Sequence, residues 1–435
     1  MSTTDQPGPL AGIRVVEFAQ ALATPSCGAL LSDMGADVIK VEPPRGDSYR
    51  LLSRTHVSGE GRDFAIANRG KRSICIDLAH PDAAVVVDPL VADADVVLVS
   101  MKAPDAPRYG LDYERLRTVR SDLVYLQNTP YGVDGPYADD GGYDVVAMGL
   151  GGMTSVLAMQ QGDHPQYVRP ALADVVTGIV STLGVVAALR HRDLTGDGQW
   201  VRTSLLHTTL ALIAHYAFHY DDLDGDRFAA VADAIDEIRT DGGDFAAQQA
   251  AYGEHFDARP SGNVYFRHYR TADGFISVGC LSPRLNERFR EATGLVDPRR
   301  TGMFERGSDA ERAAVDLFVA EAEALLAEQT TEQWRTTFSA HGVPSARVNF
   351  PHEIYDDPQA LANSYVAELD HRDLGRYRTP TAPLQMGRTP VRTAGHSPRR
   401  GEHTAEILAE LGLDSDQRAD LIERGIAGPH RGDRS

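Results

Sequence analysis

An α/β fold with an open, doubly wound parallel sheet is predicted by two features of this sequence. β-branched apolar runs alternate with helical stretches through its N-terminal part. The segments between the runs are long enough for crossover helices, which implies parallel pairing. A length of 435 residues, 42% hydrophobic and 24% charged, fits a soluble globular chain of two or three domains.

The elements follow in order. Ile13 to Phe18 is a β-branched strand bounded by Gly12. A loop from Ala19 to Pro25 leads into Cys27 to Met34, which has helical spacing and stops at Gly35, a good C-cap. Asp37 to Glu42 is a second strand, closed by Pro43 and Pro44. Asp95 to Ser100 reads as a buried strand, Tyr113 to Arg120 as a short helix and Leu123 to Asn128 as another strand. Sheets of this kind bind ligands beyond the carboxyl ends of their strands. No G-x-G-x-x-G follows the first strand and no P-loop is present. Gly149-Leu150-Gly151-Gly152 lies between apolar helical stretches and reads as close packing or a turn.

The long apolar run Val175 to Leu189, interrupted by Thr177, Ser181 and Thr182, reads as a buried helix rather than a membrane span. The chain turns at Leu194 to Gly198, and a second apolar stretch runs from Val201 to about Phe218. His215 and His219 are spaced to share a helix face. The glutamate of a zinc-protease helix is missing beside His207, so these histidines are read as ordinary surface or core residues, and no metal site is expected. Asp221 to Asp257 is acidic and alanine-rich, either partly helical or a mobile excursion. Val264 to Arg270 and Phe275 to Gly279 flank the Asp273-Gly274 turn as a hairpin. Leu285 to Thr293 and Ala310 to Glu328 are amphipathic helices, Thr404 to Leu411 is the last helix, and Gly428 to Ser435 is expected to fray. The expected divisions are a large domain over 1–215, a smaller α+β domain over 216–345 and a C-terminal segment over 346–435.

A net charge of −19 argues against a nucleic-acid backbone or an anionic membrane as partner. Cys27, Cys75 and Cys280 are far apart and odd in number, so neither a disulfide framework nor a zinc pattern follows, and a cytoplasmic location is expected. The first ten residues lack the basic and apolar regions of a signal peptide.

The stretch Val168 to Gly178 holds the most suggestive single residue. Pro170 disfavours helix before it, and Asp174 stands ahead of the long apolar run, where it reads as an N-cap. The helix dipole there favours the ionised form, and a carboxylate with free lone pairs can attack an activated acyl group. By local pattern alone it is a cap, a nucleophile or both.

Several stretches together resemble the class III CoA-transferase family, the CaiB/BaiF group, which includes formyl-CoA and carnitine CoA-transferases and α-methylacyl-CoA racemases. They are Pro9 to Glu17, Leu31 to Pro44, Asn68-Arg69-Gly70-Lys71-Arg72-Ser73-Ile74, Gly135-Pro136-Tyr137 with Gly142-Tyr143-Asp144, Ala173-Asp174 with Gly178, Arg192 to Gln199, and Gly401-Glu402-His403-Thr404 with Ile407-Leu408. The resemblance implies a large Rossmann-like domain completed by C-terminal residues, a smaller domain between, and two chains interlocked as a homodimer. It implies CoA and acyl-CoA as substrates with a small carboxylic acid as partner, and no tightly bound cofactor. It places Asp174 as the residue that forms an aspartyl anhydride and then an aspartyl-CoA thioester.

Tyr143 matches the position of the racemases' histidine. A tyrosine, with an ordinary pKa of about 10, is a poor base there and favours the transferase branch. By family position, CoA contacts fall on Leu22, Ala23, Lys71, Asp77, Leu78, Ala79, Ser100, Met101, Lys102 and Arg108. Thr24 replaces the usual glycine before Pro25, and Ala79 and Gly141 stand where formyl-CoA transferases carry lysine, which puts formyl specificity in doubt. Alternatives are a racemase or isomerase, in which Glu254 or His255 partners Asp174, and a non-catalytic CoA-thioester binder. Arg169 is a candidate for a second carboxylate.

Overall fold

Six parallel strands make the main sheet: β1 (Arg14–Phe18), β2 (Asp37–Glu42), β3 (Arg72–Cys75), β4 (Val96–Ser100), β5 (Val124–Thr129) and β6 (Trp200–Ser204), in the order β6-β5-β4-β1-β2-β3. Every pairing is parallel. From β1 the chain steps outward through β2 to β3, returns to β4 on the other side of β1, and steps outward again. The sheet is therefore doubly wound, with its switch point between β1 and β4. The computed structural model describes residues 6–52, 56–57, 60–157, 160–161, 163–256, 263–301, 303–305, 308–373 and 375–429.

Alternation along the strands builds two cores. Val16, Ile39, Ile74, Val97 and Val99 face one side, which α2 (Ala84–Ala92) and the C-terminal helices Thr404–Glu410 and Ser415–Glu423 cover. Val15, Val38, Val96, Leu98, Val124 and Leu126 face the other side, under α1 (Ala23–Asp33) and α5 (Leu172–Thr195). Between these come α3 (Tyr113–Val119) and α4 (Asp144–Leu150), and after β6 comes α6 (Leu205–Leu212). Strand β6, beginning at Trp200, and helix α6 divide between them most of the Val201 to Phe218 stretch, which the sequence reads as one apolar run. The glycine cluster does serve close packing, since a Cβ at Gly151 would come within 2.6 Å of Thr209 on α6.

Two expectations need correction. The apolar run is helical, but it is not buried all round. Small residues, Ala173, Thr177, Gly178 and Ser181, line its buried face, while Val175, Ile179, Leu183 and Val186 are exposed. His215 and His219 do not share a helix face, because the short helix Ala214–Ala217 ends between them. Among the described residues no group of three or more His, Cys, Asp or Glu is arranged to hold a metal ion.

The chain divides into two compact units, 1–249 with 362–435, and 250–361. The acidic stretch that marks the expected boundary at 216 forms two helices, Asp221–Thr240 and Phe245–Phe256, of which the first belongs to the larger unit. The second unit is a three-stranded antiparallel sheet, Phe266–Arg270, Phe275–Gly279 and Ser345–Arg347, with helices Pro283–Thr293, Asp309–Leu326 and Thr331–His341 packed on one face through Phe289, Phe318, Trp334 and Phe338. The expected fraying does not begin at Gly428, which is buried and donates its N–H to the Cys75 carbonyl at 2.9 Å, while residues 430–435 and the stretch 257–262 lie outside the described residues.

Candidate active site

At the switch point, beyond the carboxyl ends of the strands, lies a cleft of about 310 Å³. Phe18, Ala19 and Gln20 leave β1, Val41 and Pro43 end β2, Ile76 to Ala79 follow β3, and Ser100 and Met101 end β4. Its position is the one at which doubly wound sheets bind their ligands. Of the residues expected to touch CoA, the structure brings Asp77, Leu78, Ala79, Ser100 and Met101 together here. Asp77 shapes the loop by accepting the Ala79 N–H at 3.0 Å. Arg108 is exposed near the edge, its guanidinium 5.4 Å from the ring of Tyr109, which lines the cleft. Lys102 follows Met101, and its Cε lies 3.4 Å from where a Cβ on Gly141 would sit. A larger groove, about 860 Å³, lies in the second unit along the open side of its sheet, where the His268 ring nitrogen pairs with the Ser277 hydroxyl at 2.8 Å.

Lys71 does not line the cleft. Its side chain is wholly buried, and its ammonium donates to Glu17 at 2.8 Å, Asn68 at 2.9 Å and the Pro25 carbonyl at 2.8 Å. Burial pushes its pKa down to about 8 against the pull of Glu17. A lysine so fully engaged has no donor left for a phosphate. Leu22 and Ala23 do not line the cleft either. Leu22 is the N-cap residue of α1, and Ala23 opens that helix, where α5 crosses it. The crossing is close because residue 178 is glycine: a Cβ there would stand 2.8 Å from the Ala23 carbonyl oxygen and 2.9 Å from Ser26 Cβ.

One turn before Gly178 stands Asp174. It is not the cap of its helix, because Ala171 holds that position and makes no side-chain cap. The cap comes from elsewhere in the fold. Asp144, the buried first residue of α4, accepts the Asp174 backbone N–H at 3.0 Å through Oδ1 and the Tyr167 hydroxyl at 3.2 Å through Oδ2. A carboxylate at such a site contributes about 1 kcal/mol as a cap. The Asp174 carboxylate itself makes no hydrogen bond among the described residues. Burial first, and the nearby charge of Asp144 second, push its pKa up to about 7. Thus it is not ionised without tuning, as an ordinary aspartate would be. Burial and the charges of Asp63 and Asp174 raise the Tyr49 phenol to about 12, and burial with Asp144 raises Tyr167 to about 12.

Tyr143 precedes α4 and is 70% exposed. Its neighbour Asp144, rather than Tyr143 itself, makes the bond to the Asp174 backbone. Sequence reasoning passed over Asp144, Tyr167 and Tyr49 as site residues. The only signal was the Gly142-Tyr143-Asp144 triplet, and nothing in it ties residue 144 to residue 174. The side chains of Glu254 and His255 lie outside the described residues.

A doubly wound sheet with a cleft at its switch point, joined through one helix crossing to a partly buried, unengaged aspartate, is an arrangement suited to group transfer. The chain matches CoA-transferase family III over residues 10–404, and it belongs to that family. It is 34% identical over 424 residues to the succinate–glutarate CoA-transferase of Agrobacterium fabrum, covering 94% of this chain and 98% of that protein. It is 29% identical to the succinyl-CoA–L-malate CoA-transferase beta subunit of Chloroflexus aurantiacus, over 96% of this chain and 98% of that one. The human succinyl-CoA:glutarate CoA-transferase is 27% identical over 97% of this chain and 90% of its own length. Among solved structures, a CAIB/BAIF family protein from Brucella suis superposes with a TM-score of 0.71 at 29% identity, covering 93% of this chain and 100% of that one. Rv3272 from M. tuberculosis does so with a TM-score of 0.72 at 26% identity, covering 92% and 99%.

Proposed function

We propose that this protein moves CoA between short dicarboxylic acids, with Asp174 as the covalent relay. The observation that carries the reading is the Asp174 carboxylate: partly buried, unbonded, raised to about 7, and one helical turn from the crossing with the segment that lines the cleft. A carboxylate oxygen attacks the thioester carbonyl, a C–O bond forms, the C–S bond breaks, and CoA leaves as thiolate. The thiolate then attacks the aspartyl carbonyl of the resulting anhydride and releases the first acid as its carboxylate. An incoming carboxylate reverses the sequence: it forms a new anhydride, and the thiolate takes the new acyl group and frees Asp174. Each step exchanges one nucleophile for another and needs no redox partner.

The acid class is supported by the relatives, whose names specify succinate, glutarate and malate. Arg169 suits the second carboxylate of such an acid. It is exposed, and its charge lies close enough to Tyr167 to offset part of that phenol's upward shift. The deciding experiment is incubation in D2O with succinyl-CoA or glutaryl-CoA and a panel of free mono- and dicarboxylates, read by mass spectrometry. CoA appearing on a new dicarboxylate without α-deuterium is expected. Deuterium at the α-carbon with no movement of CoA overturns the reading in favour of an isomerase. Asp174→Asn is expected to lose transfer completely and still bind CoA; full activity in that variant removes Asp174 from the reaction.

A further inference from the structure

We infer that the buried ion network beneath the Ala19–Leu22 loop and the first turn of α1 is the site's positioning device, and that Lys40 and Lys71 act on CoA only through that segment. The inference rests on the CoA reading above.

Glu17, Glu42 and Asp47 are matched by Lys40, Arg50 and Lys71, and all six are buried. Removing so many charges from water carries a large desolvation penalty, which paired geometry offsets but seldom exceeds. Hydrophobic residues would fill the same space more cheaply, so stability alone does not explain the network. Its hydrogen bonds point to another task. Lys40 donates to the Ala19 carbonyl at 2.8 Å, at the start of the loop, and Lys71 to the Pro25 carbonyl at 2.8 Å, in the first turn of α1 that follows it. Asp47 accepts the Ala21 N–H between them at 3.3 Å. Ala21 has φ 64, a left-handed conformation that a non-glycine residue adopts at a cost and keeps only when its surroundings hold it.

The held segment joins the two halves of the site. Ala19 and Gln20 line the cleft, and the Ala23 carbonyl packs at Gly178, one turn from Asp174. Gly28 belongs to the same arrangement, since a side chain there would overlap the Glu17 carboxylate. Most of these residues come from the stretches that carry the family resemblance, and the proposed chemistry itself uses none of them. Their place under the loop gives them a role.

The test removes the grip without leaving a buried charge unpaired. Glu17→Gln combined with Lys71→Met deletes one charge of each sign, and removes the lysine donor from the Pro25 carbonyl. Calorimetric titration with free CoA, thermal melting and hydrogen exchange at residues 19–25 are measured on the parent and this variant. Weakening of CoA binding by roughly tenfold or more, with faster exchange confined to that segment and a melting point near that of the parent, is expected. Ala21→Val attacks the loop from the other side, because a β-branched residue resists positive φ, and it leaves the network intact. It is expected to weaken CoA in the same way, and it decides the matter if the double variant does not fold. Parent-like CoA affinity in Ala21→Val, or in a folded double variant, overturns the inference. A parent protein that does not bind CoA sinks the CoA reading itself.

Discussion

Asp144 is the residue whose replacement tells most about the site. It touches the backbone of Asp174 and presses on its side chain by charge, so the two effects can be separated by an isosteric change. Transfer needs ionised Asp174, and with its pKa near 7 the rate constant kcat/KM should fall as pH drops through neutrality. Asp144→Asn keeps an oxygen for the Asp174 N–H but removes the like charge, so the acid limb should move to lower pH. Burial, the larger cause, remains, and the limb should stay above the ordinary aspartate range. A pH–rate profile of both proteins checks this, and an unmoved limb assigns the ionisation to another group. Asp174 could be found from sequence because its surroundings carry the family pattern. Its tuning could not, because that depends on a residue thirty positions away whose side chain folds under it. Lys71 shows the reverse failure: a basic residue in a shared motif invites a phosphate, and only its burial against Glu17 shows otherwise.

At the level of elements, the crossing of α5 on α1 sets where Asp174 stands relative to the cleft. Gly178→Ala would push its methyl against backbone, which cannot yield as a side-chain end can. Overpacking of this kind costs about 1–3 kcal/mol. The variant should melt lower and lose activity beyond what its folded fraction explains, as shown by activity measured well below its melting point. Parent activity per folded molecule means the crossing does not position the nucleophile. Strands β1, β2, β4 and β5 were legible because β-branched runs in a parallel sheet are buried on both faces. Strand β6, Trp200–Ser204, was not, because it continues directly into α6 and shares its apolar content. Helix α1 starts at Ala23, a turn before the Cys27 that sequence predicts, since Pro25 reads as loop yet is tolerated in a first helical turn.

For the whole molecule, the exposed side of α5 is the feature to explain. Val175, Ile179, Leu183 and Val186 form one apolar stripe on a helix whose other face is fully packed. A lasting partner surface buries on the order of 1,200–2,000 Å² in total, and such a stripe is a natural centre for it. The homodimer expected from the family resemblance fits here as a proposal. Leu183→Glu should give a smaller species by light scattering with its circular dichroism spectrum intact. An unchanged mass places the interface elsewhere. Composition alone reads this helix as core or membrane-spanning, since sequence shows that a helix is apolar on both sides but not what covers the second side.

The pressure of Asp144 on Asp174 bears on energy as well as on ionisation. An anion held where its charge is unwelcome gains whenever that charge is removed, whether by a proton or by an acyl group. In the proposed cycle every covalent intermediate neutralises Asp174, so the arrangement that makes the free carboxylate a better base also makes its acylated forms more comfortable. The free carboxylate is therefore not a resting state that resists acylation, and CoA can be handed in both directions with the direction left to the concentrations of the two acids and their CoA esters.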